Sequence, residues 1–233
     1  MKAIFKKRRH VVLPVIHVEA EAQALKNTEI AFQHDSDGVF LINHSIGSHS
    51  LLGIAAQVRR QFPNAWIGVN CLGLDPQEIF ERVNENINGI WVDNAMVDER
   101  KEVQTEAERI LAAREKSGWK GLYFGGVAFK YQREVTDLEG AACIAARYMD
   151  VVTTSGPGTG YAALREKITR LKAGLGDRPL GIASGITPEN INDYLDTADC
   201  FLVATGVSQS FTELDPARVQ SLIQKVRAYR DAA

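Results

Sequence analysis

Long apolar runs are missing from the 233 residues, and with none approaching eighteen no membrane-spanning helix is expected. Charge of one sign is missing too. A net charge of -2 gives no broad attraction to nucleic acid or to an anionic membrane surface, so neither is expected as a partner. Cysteine is scarce: Cys71, Cys143 and Cys200 are odd in number and form no CxxC pair, which excludes a disulfide framework and fits a reducing cytoplasm. No secretory signal pattern is recognised. No GxGxxG follows the first apolar run, which argues against a dinucleotide site, and no cofactor is expected. Nor does an acidic pair followed by a Gly-rich Thr loop follow any hydrophobic run, which disfavours phosphoribosyltransferase chemistry.

What remains is an ordinary soluble composition, 45% hydrophobic and 24% charged, in a chain long enough for one large α/β domain spanning residues 1–233. The basic run Lys6-Lys7-Arg8-Arg9-His10 reads as a solvated lead-in. Apolar runs then alternate with helical patterns without a linker. Strands are predicted at Val11–Ile16, Gly38–Asn43, Trp66–Asn70, Gly89–Asp93, Gly121–Gly125 and Met149–Thr154, with two more near Leu180 and Cys200. Pro14 weakens the first of these, because proline removes a ladder donor. Helices are predicted between them. Asp75-Pro76-Gln77-Glu78 combines an N-cap, a first-turn proline and a capping-box acid; Thr187-Pro188 carries the first two of these signals; Asp215-Pro216 caps the last helix. Eight βα units spaced by roughly 20 to 30 residues predict a single-domain (β/α)8 TIM barrel. A doubly wound open sheet is the rival fold.

In such a barrel the ligand site lies at the C-terminal ends of the strands, and phosphate is held by the loops after strands seven and eight. Both of those ends carry a glycine turn, Ser184-Gly185 and Thr205-Gly206, where backbone N–H groups can approach an anion closely. Each glycine taken alone is explained equally well by turn geometry. The pair favours phosphate binding. Other strand ends are also polar: Asn43, Asn70 and the loop Ser155-Gly156-Pro157-Gly158-Thr159-Gly160, so Asn43, Asn70, Ser155, Gly156 and Thr159 are candidate substrate contacts.

Candidates for the chemistry are His17, able to move protons near neutral pH, Asp93 as carboxylate acid or base, and Lys130 as anion binder or Schiff-base amine. A solvated or merely hydrogen-bonded side chain is the bland alternative for each. His44 and His49 flank Gly47 in a loop that touches substrate or caps a helix. His17, Glu19 and Asp93 are metal ligands by type, but no tight spacing supports a metal and none is expected.

The chain resembles the BtpA/SgcQ family of TIM-barrel proteins. The likeness is strongest in Thr154-Ser155-Gly156-Pro157-Gly158-Thr159-Gly160 and Ser184-Gly185-Ile186-Thr187-Pro188-Glu189-Asn190, and extends to Leu214-Asp215-Pro216, Ile16-His17, Asn43, Gly68-Val69-Asn70 with Leu72, and Lys130. It departs from the family pattern at Ile42, Trp91, Asp93 and Tyr131, where the family tends to carry Glu, Arg, Asn and His. The resemblance implies a shared scaffold and phosphate end with a different substrate or lost chemistry. The family is named partly from a role in photosystem I biogenesis, and its wider relatives are ribulose-phosphate-binding barrels that isomerise, cleave or close phosphorylated sugars.

Two function classes follow. One is an isomerase- or lyase-type enzyme acting by proton transfer on a small phosphorylated metabolite, a sugar phosphate or phosphoribosyl compound. The other is a non-catalytic assembly or regulatory factor. Self-association into a homo-oligomer is compatible with either.

Overall fold

A computed structural model describes residues 10–229; the basic lead-in, apart from His10, lies outside the described residues. Eight parallel strands close into a barrel in sequence order: β1 (Val11–Val18), β2 (Val39–Asn43), β3 (Ile67–Asn70), β4 (Gly89–Val92), β5 (Leu122–Gly126), β6 (Val151–Thr154), β7 (Leu180–Ala183) and β8 (Cys200–Val203). Closure comes from β8 pairing with β1, with Val11 opposite Cys200 and Pro14 opposite Val203. Pro14 thus sits inside a paired strand, and β1 runs two residues further than predicted.

Seven α-helices surround the barrel among the described residues: α1 (Glu21–Gln33), α2 (Ser48–Gln61), α3 (Pro76–Arg82), α4 (Thr105–Ser117), α5 (Leu138–Ala145), α6 (Arg165–Leu175) and α7 (Pro216–Ala228). One of the predicted caps forms as expected: Asp215 accepts from the amides of Ala217 and Arg218. Asp137, not named as a cap from sequence, accepts from the Gly140 amide. Asp75 makes no side-chain cap bond, and Pro76 alone marks the start of α3.

The seventh unit departs from the prediction. Where Thr187-Pro188 was expected to open an α-helix, only a 3-10 turn at Ile191–Asp193 follows β7. Local side chains compete for the backbone groups a helix would need. Asn190 Oδ1 accepts from the Thr187 amide, Asn190 Nδ2 donates to Gly185 O, and Thr187 Oγ1 accepts from the Glu189 amide.

All eight residues of β1 are buried, yet they divide by parity. Val11, Leu13 and Val15 join Phe40, Trp91, Phe124 and Leu202 in the packing inside the barrel, while Val12, Ile16 and Val18 pack outward against helices. The same alternation sends Phe40 and Ile42 of β2 inward and Val39 and Leu41 outward. Aromatic rings fill the interior below the rim, with Phe40 meeting Trp66, Trp91 and Phe124 at centroid separations of 5.3, 5.7 and 5.1 Å. This filled plug makes the barrel's upper end the floor of whatever cavity lies above it.

Candidate functional site

Above the plug lies a cavity of about 250 Å³ bounded by strand ends and the loops that follow them. His17, Asp93, Lys130, Thr159, Ser184, Gly185 and Thr205 all line it, so seven of the twelve candidates meet in one space. The other five stand behind its wall. Asn43 takes the outward parity of β2, where its amide bridges two loops by donating to Ile46 O and accepting from the Leu72 amide. Asn70 donates to Asp93 Oδ1 at 2.9 Å. Ser155 Oγ accepts from the Lys130 amide and donates to Gly156 O. Glu19 is exposed and does not line the cavity, and among the described residues no cluster of three His, Cys, Asp or Glu side chains could hold a metal ion.

Gly206 does not reach the cavity either, but it decides the shape of the end where phosphate was expected. A Cβ there would lie 1.8 Å from Ile186 O, so the turn after β8 presses directly on the turn after β7. Gly185 is tied down twice over. Its φ is +71°, and a Cβ would meet the backbone of Tyr161 and Ala162 at 2.3 Å. Immediately before Gly185, Ser184 holds φ 113°, a region that non-glycine residues rarely adopt. Its hydroxyl accepts from the Gly160 amide and donates to Gly158 O, fastening the β6 loop across the end of β7. The three final loops therefore abut, and of their five glycines Gly160 and Gly185 line the cavity.

In the same cavity burial sets the state of the candidate acid–base groups. His17 ends the inward row of β1 and is 9% exposed. Burial lowers its imidazole from 6.5 to about 4, helped by the neighbouring His44 and by Lys130 against the hydrogen bond to Phe211. The ring is therefore neutral near pH 7. Its Nδ1 lies 2.9 Å from Phe211 O, and because a carbonyl only accepts, the proton sits on Nδ1 and leaves the Nε2 lone pair free.

Burial raises Asp93 above the usual carboxylate range, against the pull of the Asn70 amide, Lys130 and His44. Burial and the charge of Lys130 lower His44, whose ring stands 4.8 Å from that of His17. Lys130 Nζ donates to Thr159 Oγ1 at 3.1 Å, tying the β5 loop to the β6 loop.

Beneath that tie, Lys167 on α6 donates to Ser155 O at 2.7 Å and to Ala128 O, and burial lowers its amine to about 8. It fixes the roots of the loops carrying Lys130 and Thr159. The cysteines offer no nucleophile here: burial pushes Cys71 up to about 11 and raises Cys200 well above its usual value, and neither lines the cavity.

Sequence reasoning named Ile42, Leu72 and Trp91 only in comparison with a family pattern, left Phe211 unnamed, and gave His44 either a substrate contact or a helix cap; all five line the site. The signal that could have found Ile42 and His44 is parity with Phe40, two and four residues on along an inward-facing row.

No protein-family model matches this chain. Among curated proteins it is similar to the N-(5'-phosphoribosyl)anthranilate isomerase of Halobacterium salinarum, 35% identical over a stretch covering 37% of this chain and 46% of that protein. The chain thus spans less than half the length of the relative it matches. Among solved structures it is similar to phosphoribosyl anthranilate isomerase from Thermus thermophilus, with a TM-score of 0.66 and 15% identity over 94% of this chain and 100% of that one. It is also similar to (S)-3-O-geranylgeranylglyceryl phosphate synthase from Thermoplasma acidophilum in complex with sn-glycerol-1-phosphate, with a TM-score of 0.69 and 14% identity over 97% of each chain. The tryptophan synthase alpha subunit of Legionella pneumophila gives a TM-score of 0.68 and 14% identity over 97% of this chain and 96% of that one. At such identities what these structures share with the chain is the closed eight-stranded parallel barrel.

Proposed function

We propose that this protein is an enzyme that binds a small phosphorylated metabolite, a sugar phosphate or phosphoribosyl conjugate, and rearranges or cleaves it by proton transfer. One observation carries the reading. A single cavity brings the glycine-marked strand ends at Gly185 and Thr205, our proposed anion cradle, together with a neutral histidine and a carboxyl group shifted upward. Two titratable groups with opposed environments are the usual mark of an acid–base pair. His17 Nε2 takes a proton from a carbon next to the substrate's carbonyl or imine. Asp93, carrying its proton more readily than an ordinary carboxylate, returns one to the neighbouring atom. Lys130, aimed by Thr159, faces the negative charge that develops between the two steps. The phosphate held at the far side fixes the reacting carbons against these groups, which is how binding energy remote from the chemistry lowers its barrier. That the similar proteins include isomerases and a synthase named for phosphorylated compounds supports the same class.

The test is direct. Inorganic phosphate at about ten times its Kd stabilises the folded state by about 1.4 kcal/mol, which for a domain of this size raises Tm by roughly 3–5 °C. Thr205→Glu, which puts a negative charge beside the cradle, removes that rise. Unchanged melting of the wild type at tens of millimolar phosphate would sink the proposal.

A further inference from the structure

Much of the wall of this cavity is apolar. Val15, Ile42, Leu72, Trp91, Leu202 and Phe211 supply it, and four of them continue the inward rows of the barrel core. The uncharged polar side chains that stand behind that wall are already spent inside the protein. Asn43 is used by Ile46 and Leu72, Asn70 by Asp93, and Ser155 by Lys130 and Gly156. A free polyhydroxylated sugar would bury its hydroxyl groups against carbon there, and each buried hydroxyl without a partner costs affinity.

Phe211 points to the same conclusion from a different direction. Its ring stands 4.1 Å from that of His17 and 5.1 Å from that of His44, at the mouth of the cavity. It nevertheless remains 53% exposed, an uncovered aromatic surface in a wall otherwise built from buried or half-buried side chains. A ligand with a flat apolar part would cover it, and one without would leave it in water.

We infer that the ligand of this cavity joins a phosphate to a flat, largely apolar ring, and that the ring lies along the Trp91–Phe211 wall. The inference rests on the phosphate reading above and narrows it. Burying a phenyl-sized ring there tightens binding about tenfold or more relative to phosphate alone.

Four compounds separate the two claims: inorganic phosphate, ribose 5-phosphate, phenyl phosphate and phenol, titrated calorimetrically into the wild type and into Phe211→Ala. This substitution keeps the backbone carbonyl that orients His17. Phenyl phosphate is expected to bind about tenfold or more tighter than inorganic phosphate and tighter than ribose 5-phosphate, and Phe211→Ala to remove most of the margin while leaving the Kd for inorganic phosphate unchanged. Ribose 5-phosphate binding as tightly as phenyl phosphate would overturn the inference and leave the phosphate reading standing. Phenol binding as tightly as phenyl phosphate would overturn the phosphate reading and support the apolar wall. No binding by any of the four would overturn both.

Discussion

Neutral His17 is the part of the proposed chemistry whose energetic consequence can be worked from the structure. Its imidazole stands near 4 in the folded chain against 6.5 when free, so the unfolded chain binds more protons between these values. Stability must therefore rise with pH through that window and fall as pH drops through it. With those two values the His17 contribution is almost absent at pH 7, costs about 2 kcal/mol at pH 5 and about 3 kcal/mol at pH 4. His17→Gln removes the titration while retaining an amide donor that can reach Phe211 O. Groups that do not couple to His17 stay in both proteins and cancel in the difference, whereas His44, coupled to His17, enters it. Urea unfolding at pH 7, 6, 5 and 4 should show the wild type losing about 3 kcal/mol more than His17→Gln across the series. Parallel profiles, or an NMR titration placing the His17 ring near its ordinary value, would refute the burial argument and remove the neutral base with it. Activity assays on the proposed substrates should correspondingly show no loss of base function as pH falls from 7 to 6.

Two further perturbations follow from the loops. Gly185→Ala forces a Cβ into the backbone of Tyr161 and Ala162 at 2.3 Å, at a φ of +71°; it should destabilise by about 2–5 kcal/mol. Gly47→Ala, with no atom within 4 Å, should change stability by less than about 0.5 kcal/mol, and equal urea midpoints for the two variants would contradict the close packing of the final loops. Lys167→Met strips a donor from Ala128 O and Ser155 O; a loss of about 1–3 kcal/mol should accompany faster hydrogen exchange at the Lys130 amide, which Ser155 Oγ accepts. Exchange at that amide as slow as in the wild type would show that Lys167 does not organise the loop.

Most of the architecture was written in local patterns. Apolar runs ending at polar residues located all eight strands, and Asp137 and Asp215 cap helices where short polar side chains precede a helical stripe. The helix expected after β7 failed for a reason equally local but not visible in a one-dimensional scan. Thr187 and Pro188 supply a start signal, yet Asn190 sends its amide back to Gly185 O, and that bond exists only once β7 and its glycine turn are in place. A tertiary acceptor won over a helix propensity that has no partner of its own.

The site was legible by residue type and illegible by facing. In a sheet exposed on one side, alternating hydropathy says which residues look at the core, but a barrel strand is buried on both faces and the alternation disappears. β1 is the longest case, with every residue buried like those of the other strands and the pairing of His17 with Ile42 revealing which parity the neighbouring strand takes. Without that register Asn43 outranks Ile42, because an amide at a strand end looks like a substrate contact and an isoleucine looks like packing. With it the order inverts: Ile42 and His44 belong to the row of Phe40, and Asn43 to the row of Leu41 that faces the helices. The same rule joins Asp93 to Trp91, so the carboxyl group and the aromatic wall arrive in the cavity together or not at all. A single residue inserted before Trp91 in β4 would turn both outward, and with them the acid and the apolar surface on which the ligand's ring is proposed to lie.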